Sequence, residues 1–340
     1  MKPDAILQGI ERREIAALAR AISLVENQRE GFEQLLGGVH RRVGRARRIG
    51  ITGPPGAGKS TLTERLVQHY RRAELTAAVI AVDPTSPFTG GALLGDRIRM
   101  ESVSMDPGVF IRSMATRGSV GGLATTTAEV ADLLDAFGFD RILIETVGVG
   151  QTELDVARTA HSTVLVLTPE SGDAIQTLKA GVMEVADVYV VNKSDRPGAE
   201  RLRQEVDVML GLRRGSAFRH IRPHQAPGAT SRREPDPAAW TPPVVGTAAA
   251  HGEGIDAVTE ALDRHHAHLT ATGGLEARRR ARLAERTRAV VNRALRQWVW
   301  EETAAEALLE RRLDEVVEGR RTPYQVAAEI MRQARNGTTP

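Results

Sequence analysis

From Arg47 onward the chain alternates short, nearly continuous apolar runs with longer stretches of helical periodicity. The runs are IGIT (49–52), AAVIAVD (77–83), VFIRS (109–113), RILIETVG (141–148), STVLVLTP (162–169), VYVVNK (188–193) and PVVGTAA (243–249). A strand buried on both faces has no polar face with which to alternate. Such runs therefore predict parallel strands, and the interleaved helices predict a doubly wound, mainly parallel α/β sheet. Upstream, EIAALARAISLVEN (14–27) sets its apolar residues on one helical stripe, and FEQLLGGV (32–39) reads as a second short helix. After Thr272-Gly273-Gly274 the chain is rich in arginine and alanine with helical periodicity. Its last segment, TPYQVAAEIMRQAR (322–335), has Thr322 as N-cap and Pro323 in the first turn. The expected organisation is a helical N-terminal extension over 1–45, an α/β domain over 46–272 and a helical C-terminal region over 273–340. Residues 219–243, rich in proline and charge, read as an exposed loop.

Composition narrows the class. With 41% hydrophobic and 26% charged residues the chain reads as a soluble globular protein, and no apolar run approaches the ~18 residues that span a bilayer. The N-terminal stretch lacks an uninterrupted signal-peptide core, so a cytoplasmic location is the expectation. Cysteine is absent, which excludes disulfides, thiolate metal sites and cysteine nucleophiles. A net charge of +3 from 46 basic and 43 acidic residues requires no polyanionic partner. The basic clusters at 41–48 and 276–288 read as a solvated strand approach and a helix face. Neither nucleic acid nor membrane is expected as a partner. Only four of the basic residues are lysines (Lys2, Lys59, Lys179, Lys193), which marks them as places where a compact ammonium or slim stem matters.

Two of those lysines fall inside motifs. GPPGAGKS fits G-x-x-x-x-G-K-[ST], with Gly53, Gly58, Lys59 and Ser60 at the defining positions, after a strand and before a helix. The glycines let successive N–H groups face phosphates, and the helix N-terminus adds a favourable dipole. Lys59 is expected to reach the β- and γ-phosphate oxygens and Ser60 to ligate Mg²⁺. VVNKSD ends a strand with Asn192, Lys193 and Asp195, the N-K-x-D pattern of guanine recognition. Asp195 can accept from guanine N1–H and the 2-amine, whereas adenine presents an acceptor and no amine there. Asn192 is expected to tether the loop while the Lys193 stem covers the base. The implied nucleotide is GTP.

In ILIETVGVGQTE, Glu145-Thr146-Val147-Gly148 stands where common GTPases carry D-x-x-G. Glu145 can meet Mg²⁺ through a water, and the Gly148 N–H can meet the γ-phosphate. Lys59, Glu145 and Gly148 are therefore the candidate catalytic set. No glutamine directly follows Gly148, and Gln151 stands three residues on, which implies slow intrinsic hydrolysis completed by a partner. Asp83, ending its strand, and Asp96, in GGALLGDRIRM, are further candidate Mg²⁺ ligands, one or both direct or water-mediated; a turn cap and a loop ion pair are the alternatives. Thr116–Glu129 reads equally as a turn before a helix, and the histidines of DRHHAH (263–268) are expected on a solvated helix face.

Together GITGPPGAGKST, VDPTSPFTGGALLGDRIRM, RILIETVGVGQTE and VYVVNKSD resemble the MeaB/ArgK family, the methylmalonyl-CoA mutase-associated GTPases of the SIMIBI class of P-loop proteins. The resemblance implies a P-loop NTPase fold and a homodimer formed through C-terminal helices. It also implies a role as G-protein chaperone for an adenosylcobalamin-dependent acyl-CoA mutase, gating cofactor loading and protecting or reactivating the mutase. It leaves open whether a cobalamin adenosyltransferase joins. By motif, the GTP site is Gly53, Pro54, Pro55, Gly56, Ala57, Gly58, Lys59, Ser60 and Thr61 with Asn192, Lys193 and Asp195, and Thr247 and Ala248 as backbone contacts to the base. The Mg²⁺ environment is Ser60, Asp83, Asp96 and Glu145. A third switch corresponds to Pro169–Gly181, where Asp173, Gln176 and Lys179 are candidate coupling residues to the mutase. The alternatives are a metallochaperone GTPase, a transport-system-associated kinase, and a GTP-binding scaffold without turnover.

Overall fold

The computed structural model describes residues 2–83, 100–115, 122–146, 152–171, 180–213 and 239–336. Asp96, Gly148, Asp173, Gln176 and Lys179 lie outside them, as does most of the 219–243 segment. The chain divides into two compact units, 1–279 and 280–340.

The first unit is built on seven strands: β1 (Arg47–Thr52), β2 (Ala77–Asp83), β3 (Val109–Ala115), β4 (Arg141–Thr146), β5 (Ser162–Leu167), β6 (Val188–Asn192) and β7 (Val244–Thr247). Each of the seven apolar runs is a strand. They lie in the order β3-β2-β4-β1-β5-β6-β7, every pairing parallel. The connection from β1 runs outward to β2 and β3, returns through β4, and continues on the other side through β5 to β7. The strand order thus reverses beside β1, where the crevice for a ligand opens in such folds.

Alternate side chains of the strands enter different cores. Helices α1 (Pro3–Glu11), α2 (Ile15–Glu26), α3 (Phe32–Val39) and α6 (Gly122–Phe137) cover one face. There Ile10, Leu18, Ile22 and Leu35 pack with Leu133 and Leu134 against Ile80, Ile142 and Ile144. The N-terminal helices are thus part of the α/β core. On the other face, α4 (Lys59–Arg72) and α10 (Ile255–Ala271) place Leu62, Leu66, Val258 and Leu262 against Ile49, Ile51, Val79, Val164 and Val166. Helix α9 (Ala199–Arg213) packs Leu202 and Val206 on Leu165, Tyr189 and Val191 of β5 and β6. Short helices α5 (Glu101–Ser104), α7 (Thr152–Thr159) and α8 (Ala180–Val185) complete the layers.

The basic cluster before β1 is not wholly solvated. Arg48 is buried and gives Nη2 to Asp132 Oδ1 at 2.7 Å and to Asp135 Oδ2 at 3.0 Å. Burial alone would depress its pKa, but the two carboxylates outweigh that and raise it. Asp135 also accepts the backbone N–H groups of Gly44, Arg45 and Ala46 at 2.9–3.0 Å, fixing the entry to β1.

The histidines of α10 depart from the solvated face expected of them. His265 is fully buried. Its Nδ1 lies 2.8 Å from Ser162 Oγ and its Nε2 3.2 Å from Asp187 Oδ1, at the N-terminal ends of β5 and β6. Burial is the main cause pushing its pKa down to about 4, opposed by Asp187 and reinforced by Arg278. Arg278 itself donates to both Asp187 oxygens and to the His161 carbonyl. Trp240 gives its indole N–H to the Asp187 carbonyl and packs on the His265 ring, 4.8 Å between centroids.

The second unit holds most of α11 (Gly274–Gln297), with α12 (Ala305–Val317) and α13 (Pro323–Asn336). A small core of Ala305, Leu308, Val326 and Ile330 joins α12 to α13. Arg312 bonds Glu315 at 2.8 Å and Glu329 at 2.9 Å above it. Thr322 caps α13 in a capping box: Gln325 N donates to Thr322 Oγ1, and the Gln325 side chain accepts from Thr322 N at 2.8 Å. Helix α11 buries none of its residues, and Leu283, Val291 and Leu295 are exposed within one stripe of it. Among the described residues no helix is long and apolar enough to cross a membrane.

Candidate nucleotide site

The loop between β1 and α4 sits at the C-terminal edge of the sheet, at the switch point. Its glycines are required by close approach as well as by backbone angle. Gly53 has φ +141°, and a Cβ there would stand 2.1 Å from the Val166 carbonyl oxygen of β5. Gly58 has φ +84°, and its Cβ would stand 2.4 Å from Asn192 Nδ2. Pro55 and Gly56 are exposed, Pro54 is half-buried and Ala57 is buried. Lys59 is buried at the start of α4 and donates from Nζ to the Gly53 and Pro54 carbonyls at 2.9 and 3.0 Å. Its ammonium is thus held inside the curve of the loop. The first turn of α4, containing Ser60 and Thr61, points its N-terminus into the same curve.

Glu145 reaches this helix from the neighbouring strand β4. It is buried, with Oε1 2.6 Å from Ser60 Oγ and Oε2 2.9 Å from Thr63 Oγ1. A carboxylate and a hydroxyl side by side at the foot of a phosphate loop form a hard-oxygen set suited to Mg²⁺, which needs few protein ligands when phosphates and water supply the rest. Asp83 ends β2, two strands from the loop in the sheet order. Among the described residues no group of three or more His, Cys, Asp or Glu side chains could hold a metal on its own.

The base motif follows β6. Asn192 is buried and works in both directions: Nδ2 donates to the Ala57 carbonyl at 2.8 Å, while Oδ1 accepts from Thr247 Oγ1 at 3.0 Å and from Ala249 N at 3.1 Å. It thereby joins the phosphate loop, the end of β6 and the turn after β7. Lys193 has φ +57°, a left-handed conformation uncommon for a side chain of its size. Asp195 is exposed at the rim. Ala248 is buried and pairs both its N–H and its carbonyl with Glu253, so its neighbours Thr247 and Ala249 make the bonds to Asn192.

Three further residues belong to this region. Thr63 shares Glu145 with Ser60; its place one helical turn beyond Ser60 was a readable signal. Glu170, just after β5, pairs with Lys193 at 3.5 Å and with Arg196. A bond from its own backbone N–H, then those from Arg196 and Thr168, outweigh partial desolvation and lower its pKa to about 2. Arg65 of α4 donates to the carbonyls of Ala249 and Ala250 at 3.0 and 2.8 Å, contacts that no sequence signal announces.

Comparison with known proteins agrees with this architecture. Residues 18–304 match the family model described as methylmalonyl Co-A mutase-associated GTPase MeaB. A putative GTPase of Pyrococcus abyssi is 45% identical over 289 residues, 85% of this chain and 84% of that one. A probable GTPase of Mycobacterium tuberculosis is 38% identical over 335 residues, 96% of this chain and 94% of its own length. Among solved structures, one described as a LAO/AO transport system kinase superposes with a TM-score of 0.67 at 27% identity, covering 97% of this chain and 96% of that one. With a seven-stranded parallel sheet, a glycine loop at its switch point and a family model that spans most of its length, the chain belongs to the MeaB family of methylmalonyl-CoA mutase-associated GTPases.

Proposed function

We propose that the protein is a Mg²⁺-dependent GTP hydrolase whose nucleotide cycle serves an adenosylcobalamin-dependent acyl-CoA mutase. The observation that carries the nucleotide half is the Asn192 bridge. It ties an N-K-x-D loop to a phosphate loop, so one bound molecule would have to present guanine and phosphates together. In this reading Lys59 exchanges the Gly53 and Pro54 carbonyls for β- and γ-phosphate oxygens, and the N–H groups of Gly53 and of Gly56 to Thr61 take the remaining charge. Ser60 and Glu145 would hold Mg²⁺, the hydroxyl directly and the carboxylate through water, with Asp83 and Asp96 as further oxygen donors. When bound, the ion neutralises charge on the phosphates. Water attacks the γ-phosphorus in line, the bond to the β-phosphate oxygen breaks, and GDP and phosphate leave. Asp195 accepts from guanine N1–H and the 2-amine, with the Lys193 stem over the base.

The mutase half is supported by the family description. On this reading intrinsic turnover is slow, and contact with the mutase raises it through the segment containing Asp173, Gln176 and Lys179. A homodimer through 273–340 is supported by the exposed apolar stripe of α11. The transport-kinase description of the structural neighbour keeps phosphotransfer as a second reading, which labelled γ-phosphate appearing on protein or amino acid would establish.

Asp195→Asn tests the nucleotide assignment. An amide in place of the carboxylate can donate to the 2-oxo group of xanthine and loses the match to guanine. Turnover should shift from GTP to XTP in the variant. GTP preference unchanged by the substitution would overturn the assignment.

A further inference from the structure

The bonds at the base motif form a closed circuit. Asn192 holds the phosphate loop at the Ala57 carbonyl; Thr247 and Ala249 hold Asn192; and Ala249 gives its carbonyl to Arg65 Nε at 3.0 Å. Arg65 stands on α4, the helix that begins at Lys59, so the circuit returns to the phosphate loop. Ala249 is gripped on both sides, its N–H by Asn192 and its carbonyl by Arg65. The neighbouring Ala250 carbonyl takes Nη2 at 2.8 Å, while Nη1 is braced by Gln68 Oε1 one turn along the helix at 3.1 Å. The planar guanidinium meets these three acceptors from three separate nitrogens held in one rigid fork, so the two carbonyls and Gln68 are fixed relative to one another. Helix α4 is a stiff mount, since Leu62 and Leu66 on either side of Arg65 are fully buried.

We propose that Arg65 is a positioning residue for guanine discrimination. From the phosphate-loop helix it fixes the 249–251 turn, which orients the Asn192 carboxamide and through it the loop carrying Asp195. This rests on the guanine reading above and adds to it a residue outside the nucleotide motifs. If the turn is released, Asn192 Oδ1 loses the Ala249 N–H and keeps only the rotatable Thr247 hydroxyl, and Asp195 is no longer held to meet N1–H and the 2-amine together. The loss then falls mainly on the nucleotide that uses both contacts.

Affinities for GDP, inosine diphosphate and ADP, measured by displacement of a fluorescent nucleotide, test this. Inosine lacks the 2-amine, so the ratio of GDP to inosine diphosphate affinity reads the second Asp195 contact alone. In Arg65→Met, GDP affinity should fall about tenfold, the loss of one charge-assisted pair of bonds. The GDP advantage over inosine diphosphate should shrink several-fold, and ADP affinity should stay within about twofold. Arg65→Lys, which keeps the charge but gathers its donors on one nitrogen, should lie between, and it carries the test if the Met variant does not fold. Equal losses for all three nucleotides, or none, would overturn the proposal, because a purely structural role has no reason to spare ADP. A wild-type protein that does not prefer GDP to ADP would remove the guanine reading and this proposal together. Discrimination retained in both variants would remove this proposal alone.

Discussion

Replacing Asn192 by alanine tests the circuit where it is densest. The carboxamide makes three bonds, to the Ala57 carbonyl, the Thr247 hydroxyl and the Ala249 N–H. All three partner residues are essentially inaccessible to solvent: Ala57 and Thr247 at 0% exposure, Ala249 at 1%. The Thr247 hydroxyl can rotate away, but the two backbone groups cannot. Leaving a buried donor or acceptor unpaired costs ~1–3 kcal/mol each, and a water entering the vacated space returns part of it. The expected net loss is about 3 kcal/mol in the nucleotide-free protein. Urea unfolding followed by far-UV circular dichroism measures it. Hydrogen exchange across 244–254 locates it, since the Ala249 amide should lose protection before the strands do. A loss below ~1 kcal/mol with protection of Ala249 unchanged would refute the reasoning, because it would mean that other partners already satisfy these groups.

Three further outcomes follow from the geometry. Gly58→Ala should destabilise the protein by about 2 kcal/mol or more and abolish GTP binding, because the left-handed backbone and the 2.4 Å approach to Asn192 both oppose a Cβ; calorimetric melting and nucleotide titration check it. Glu145→Gln should raise the Mg²⁺ concentration for half-maximal GTP turnover roughly 10–100-fold, since the amide keeps one acceptor oxygen but loses the second and the negative charge that would orient a metal-bound water. His265 sets an acid limit. Its folded pKa of about 4 lies below the ordinary 6.5, so the unfolded chain binds a proton that the folded one refuses. Stability should therefore be insensitive to this group above about pH 6.5 and fall by about 3 kcal/mol as pH drops from there to about 4. His265→Gln should flatten that part of the profile measured by urea midpoints, and an identical slope in the variant would contradict it.

The parts legible in the sequence share a physical reason. Strands buried on both faces are written as apolar runs, so all seven could be placed before any coordinate. The glycine loop before α4 and the N-K-x-D turn after β6 were legible as patterns because each is written in residues a few positions apart on one local backbone. Thr322 and Gln325 were legible in part for the same reason: the N-cap was read, its glutamine partner was not. What escaped depends on residues brought together by the sheet. His265 looked like one of several solvated histidines, yet parallel pairing brings Ser162 and Asp187 beneath it. Arg48 looked like one arginine in a basic run, and its carboxylates come from α6. Arg65 escaped because its acceptors are backbone carbonyls, which carry no residue-type signature. Its partners lie 184 and 185 residues away along the chain.

The most direct measurement of the account is phosphate release from GTP, with ATP alongside, as candidate cobalamin-dependent acyl-CoA mutases are added. Slow turnover of GTP alone, rising when one mutase is present and blunted by Lys179→Ala without loss of GTP binding, is the expected result. Hydrolysis of ATP at a comparable rate would contradict the base site, and GTP turnover indifferent to every mutase would contradict the chaperone role.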